Sequence, residues 1–192
     1  MNSIPRLAAA AVATFALTLA PAVAASAQPS HGPDARVLKA LSHLDRRLAG
    51  AVKDARMARL TDTDAAALRA NVATDGATLD AAAAALAGDG TDANLAAARD
   101  LITSYRPQVY VVATNIVRHG EKVLAQVAQL QSLVTPGSTD EADLATATAL
   151  LATVPASGFT ATTDGATLRA AQHVVVQAQG VASRVADDVA GG

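Results

Sequence analysis

The sequence predicts an all-α protein, an antiparallel up-and-down bundle of four to five helices with its third helix kinked at Pro107. Three observations predict it. Apolar residues recur three and four apart through nearly all of the chain beyond residue 33. Alanine, the strongest helix former, makes up roughly a quarter of the residues. Aromatic residues are 2% of the chain, too few for a strand-rich fold, which draws on aromatic and β-branched side chains.

The first segment reads as an address. Arg6 precedes an apolar run from Leu7 to Ala20, Pro21 breaks it, and Ala25-Ser26-Ala27 places small residues where a signal peptidase reads. The run is shorter than the ~20 residues a membrane span needs. Residues 1–27 are therefore expected to be a cleaved secretory signal, with Ala22-Val23-Ala24 as a second cleavage point. The arginine is unpaired, which favours general secretory export. The absence of cysteine excludes a lipid-anchored thiol, disulfides, thiolate metal sites and a cysteine nucleophile. No later stretch is apolar for long enough to be a transmembrane segment. Residues 28–33, with two prolines, read as a flexible leader, and 34–190 as a single helical domain.

The first helix is expected from Asp34 to Arg59, with Val37, Leu41, Leu44, Leu48, Ala51, Ala55 and Ala58 as its seam. Thr61 or Thr63 can cap the second helix, whose seam runs Leu68, Val72, Asp75, Leu79, Ala82 and Leu86 until Gly88-Asp89-Gly90 stops it. The third starts near Thr91 or Asp92 and carries apolar residues to Val134. Unbroken, it would be ~64 Å long. Pro107 lacks an N–H and pushes Arg106 out of helical geometry, so a kink or short break is expected there. Pro136-Gly137 is a turn, and Ser138 with Glu141 forms a capping box for a fourth helix reaching Thr153. A loop from Pro155 to Thr162 holds Phe159. The fifth helix follows Thr163 on Leu168, Ala171, Val175, Ala178, Ala182, Val185 and Val189. Thr74–Leu79 recurs as Thr163–Leu168, but the match fades within a few residues and makes no repeat architecture.

The signal, the alanine-rich body, the segment Leu68-Arg69-Ala70-Asn71-Val72-Ala73-Thr74-Asp75 and the run Ala98 to Arg106 followed by Tyr110 resemble uncharacterised secreted helical proteins of high-GC actinobacteria. The resemblance implies export and a helical fold, and carries no activity. The third helix of that group often continues unbroken, so Pro107 is a departure.

Few residues offer chemistry. Asp75 lies on an apolar face, where a carboxylate needs a partner; Arg106 and Arg118 are the natural ones, and a ligand contact is the functional alternative. Tyr105, Arg106 and Tyr110 cluster at the proline and read as an Arg–Tyr cluster holding the kink, or as a pocket for an anionic ligand. His119 and His173 fall near seams, where facing histidines can ligate haem or a metal, but neither belongs to a paired ligand motif. No metal and no cofactor is expected. The chain lacks a nucleophile elbow and a phosphate-binding glycine loop, and tryptophan is absent for stacking sugars, so no catalytic residue and no enzyme is expected.

Removing Arg6 with the signal takes the formal net charge from −2 to −3, which argues against nucleic acid as a general partner. Charge is unevenly spread. Residues 34–60 carry seven cations against three acids, and Lys39, Arg46 and Lys53, seven apart, are placed outward. The expected function is that of a non-enzymatic secreted or envelope-associated interaction protein. Anionic envelope polymers or another protein would be its partners, and self-association through alanine seams is also open. The alternative is a small-ligand or haem carrier using the bundle interior.

Overall fold

A computed structural model describes residues 33–54 and 56–191; the expected signal at 1–27 and the leader up to residue 32 lie outside them. The described chain is helical and holds no strand. Its helices are α1 (Pro33–Val52), α2 (Asp62–Gly88), α3 (Asp92–Ser104), α4 (Gln108–Gln131), α5 (Thr139–Ala152) and α6 (Gly165–Gly191). Because α3 and α4 are the two arms of the third predicted helix, the bundle is one of five helices with one interrupted.

The seams are where the apolar period put them. Val37, Leu41, Leu44, Leu48 and Ala51 are buried on α1, and Leu68, Val72, Leu79 and Leu86 on α2. On α6, Val175, Ala178, Ala182 and Val185 are buried. Alanine at Ala98, Ala113, Ala147, Ala178 and Ala182 is fully or nearly fully enclosed, which lets helix backbones approach to the short end of the usual 8–10 Å spacing. Stability is thus spread over many small contacts along long helices.

Caps set most of the boundaries. Thr61 and Thr91 cap α2 and α3 by accepting the N–H of Asp64 and Asn94, each at 3.3 Å. Ser138 accepts the N–H of Glu141 at 3.2 Å, while Glu141 reaches back to the N–H of Gly137 at 2.6 Å. That is a capping box displaced by one residue, and Gly137 (φ +80°) supplies the left-handed turn before it. Asp164 accepts the N–H of Thr167 at 2.7 Å at the start of α6, and that bond holds its carboxyl below the usual range.

Two boundaries differ from the sequence reading. Pro33 belongs to α1 rather than to the leader; at a helix start its missing N–H costs nothing. At the other end α1 stops at Val52, not Arg59. Asp54 accepts the N–H of Arg56 at 2.8 Å, turning the chain into a 3-10 turn at Met57–Arg59. Met57 is fully buried there and Ala58 is exposed, so methionine replaces the alanine predicted for the seam.

The break at Tyr105, Arg106 and Pro107 redirects the chain. Before it, α3 packs on α1 and α2; after it, α4 packs on α5 and α6. The two halves meet where α2 touches α4 and a 3-10 turn at Ala156–Gly158. The expected kink at Pro107 is held by bonded groups: the Arg106 N–H donates to Ala161 O at 2.8 Å, and Arg106 O accepts from Val109 N–H at 2.9 Å.

Candidate functional site

The seam of the two halves is pinned by Asp75. It stands one helical turn after Asn71 on the buried face of α2. Its Oδ2 accepts the Tyr110 hydroxyl at 2.6 Å and the Ala161 N–H at 2.7 Å. Asn71 adds two bonds to the same loop, its Nδ2 donating to Ser157 O at 2.9 Å and Phe159 O at 2.8 Å. Two adjacent turns of α2 therefore hold the loop that carries buried Phe159 and Ala161. Ala161 works in both directions, giving its N–H to Asp75 and its carbonyl to Arg106.

The expected arginine partner is absent from this pin. Arg106 is exposed and enters the network only through its backbone N–H. The Arg–Tyr cluster at the kink does not form either, because both tyrosines turn inward. A phenol and a peptide N–H satisfy the carboxylate without bringing a second charge out of water, which costs less than burying a guanidinium. No buried side-chain nitrogen or oxygen among the described residues lacks a partner.

Both hydroxyls are held in their neutral form. Burial is the main reason that Tyr110 is pushed far above the ordinary tyrosine range, followed by its hydrogen bond to Asp75 and the charge of that carboxylate. Tyr105 is raised by burial, against a lowering contact from the Thr78 hydroxyl, with the Asp75 charge adding to the rise. Asp75 and Tyr110 are both buried. The arrangement is largely shielded from solvent, and its chemistry is that of a polar pin fixing three segments in register.

The histidines do not form a ligand pair. His119 Nε2 lies 2.8 Å from Gln179 Oε1, bridging α4 to α6, while His173 is exposed. Among the described residues no group of three or more histidine and acidic side chains could hold a metal ion. Nor is any described helix long and apolar enough to cross a membrane.

Two openings lie on either side of Glu121. One is a cleft of about 350 Å³ between α4, α5 and α6, with aliphatic walls that include Ile116, Val117, Leu151 and Val175, and with Asp64 and Glu121 as its charged members. The other, also about 350 Å³ and more open, is lined by Arg59, Arg118, Glu121, Lys122 and Ala125. Between them the Glu121 Oε1 accepts the Thr61 N–H at 2.6 Å. A residue of α4 thereby takes the N-cap donor of α2, a role that a local glutamate usually fills. Sequence reading missed this, since the partners are sixty residues apart. The four-residue spacing of Arg118 and Lys122 was a visible signal for the second opening.

The outer face of α1 is as the spacing placed it. Lys39 and Arg46 are exposed on it, together with Arg36 and Arg47, whereas Lys53, also exposed, stands in the turn just past Val52 because α1 ends earlier than its spacing implied. The acids of that helix lie on the inner side. Asp45 Oδ1 would stand 3.5 Å from a Cβ at Gly76 of α2, and Asp34 Oδ2 3.2 Å from one at Gly90. Cations therefore face water while carboxylates follow the α2 boundary. No protein-family model, curated protein or solved structure matches this chain.

Proposed function

We propose that this is a non-enzymatic exported protein whose first helix contacts an anionic polymer of the cell envelope. The observation that carries the reading is the segregation of charge on α1, with four cations of the helix and Lys53 just past its end outward, and Asp34 and Asp45 turned toward α2 and the α2–α3 turn. The apolar stripe of the same helix is buried against its neighbours, so the face available to a partner is electrostatic rather than lipid-inserting. The test is sedimentation with purified envelope polymer. Wild type is expected to sediment at about 0.05 M salt and to be released at about 0.5 M, where charge is screened within a few ångströms. The triple variant Lys39→Gln, Arg46→Gln, Lys53→Gln should bind about tenfold more weakly. Wild type that stays in the supernatant at low salt, or a triple variant that sediments equally, overturns the reading.

The aliphatic cleft favours a second reading, a carrier of small apolar ligands with a cationic end. Its walls are apolar and both of its charged members are acidic. Neither His119 nor His173 lines it, so haem is not the ligand this geometry supports. Saturable uptake of octylamine that disappears in Thr148→Trp, a substitution at an exposed lining residue, supports this reading. Wild type without uptake refutes it.

A further inference from the structure

We propose that Arg59, Arg118 and Lys122 form a binding site for a phosphate group. The inference rests on the envelope-polymer reading and names the chemistry the polymer would carry. Three cations and one acid line this cleft. Arg118 and Lys122 are one turn apart on α4, where like charges repel. Arg59 comes to them from a different element, the end of the 3-10 turn anchored by buried Met57. The single acid, Glu121, already accepts the Thr61 N–H at 2.6 Å, so part of its charge is engaged by the start of α2.

The fold thus gathers three repelling cations around an opening of about 350 Å³. A carboxylate ligand brings two oxygens and one charge. A phosphate brings three acceptor oxygens and up to two charges, which matches a net of two positive charges. A guanidinium fork engages two such oxygens at once, and the lysine adds a point charge.

The test is calorimetric titration of tripolyphosphate into the protein at about 0.1 M salt. Wild type is expected to bind saturably. Arg118→Gln with Lys122→Gln should weaken binding about tenfold or more, and Lys39→Gln, Arg46→Gln, Lys53→Gln should leave it within about twofold. Because Arg118 is half-buried, exposed Arg59→Gln serves as the second variant and should also weaken binding with an unchanged melting curve. Absence of saturable binding overturns the site. So does equal weakening by the cleft and α1 variants, equal affinity for polyglutamate, or binding confined to phosphatidylglycerol vesicles. The two proposals fail separately. Wild type that binds tripolyphosphate but not envelope polymer keeps the cleft and loses the envelope reading; the reverse result keeps the envelope reading and removes the phosphate site.

Discussion

Replacing Asp75 by alanine should be among the costliest single changes in this protein, and the reason is countable. The carboxylate takes two buried donors on one oxygen, the Tyr110 hydroxyl at 2.6 Å and the Ala161 N–H at 2.7 Å. Alanine leaves both without an acceptor, at about 1–3 kcal/mol each. The expected loss is therefore about 2–6 kcal/mol, a large share of the 5–15 kcal/mol typical of a folded domain. At roughly 2–4 °C per kcal/mol for a chain of this size, the melting temperature should fall by about 4–24 °C. Asparagine provides the control. Because both donors converge on the same oxygen, the amide oxygen can occupy that position and keep both bonds, losing only the charge assistance, about 1 kcal/mol. Urea unfolding followed by circular dichroism at pH 7 measures both variants. Equal losses for Asp75→Ala and Asp75→Asn, or an alanine variant within 0.5 kcal/mol of wild type (a threshold set by surface substitutions, roughly ±0.5 kcal/mol), would refute the pin.

Four further outcomes are expected. The chain's two tyrosines are both raised above their ordinary value of 10.0, so the unfolded chain releases their protons first. Their contribution to stability is therefore constant below pH 10 and declines as pH climbs above it. Absorbance near 295 nm (roughly the phenolate band) should show both phenols of the folded protein ionising above the ordinary tyrosine range, and a normal titration at about pH 10 in the folded protein would contradict their burial. Leu48→Arg places a charge at a site that is 1% exposed in a core of small side chains, and should unfold the protein at a cost of roughly 4–5 kcal/mol or more; a native melting curve would remove Leu48 from the core. Gly50→Ala, with nothing within 4 Å of its new methyl, should stabilise α1 by roughly 0.5–1 kcal/mol in thermal denaturation. Gly120→Ala meets Leu151 and Val175 at 3.6 and 3.8 Å, ordinary contact distances, and should be neutral or mildly stabilising.

Much of the framework was legible because helices announce themselves locally. The seams of α1, α2 and α6 follow from a period of three and four, and Thr61, Thr91 and Ser138 cap the helices they precede. The end of α1 was not legible. Alanine continues the apolar period past Val52, whereas the Asp54 side chain competes for the Arg56 N–H and the large Met57 side chain fills the interior better than Ala58. The echo between Thr74–Leu79 and Thr163–Leu168 shows the same limit. Asp75 is buried in mid-helix and Asp164 is an exposed cap, so one local sequence has two roles.

For the site, residue type and period marked Asp75 as a buried carboxylate, but not its partners. A backbone N–H such as that of Ala161 leaves no trace in side-chain chemistry, and Arg106 looked suitable only while its direction at the break was unknown. The outward basic face of α1 could be read directly, since a helix fixes which residues share a side.

The sequence by itself determined the helices, their buried stripes and the cationic side of α1, because these depend on neighbours within a few turns. Tertiary structure alone decided that the Pro107 break swings the chain from one half of the bundle to the other. It also decided that Asp75 binds Tyr110 and Ala161, and that Arg59 joins Arg118 and Lys122 around one opening. Those pairings join residues 35 to 86 positions apart in the Asp75 pin, and only packing of the whole chain brings such groups within hydrogen-bonding reach.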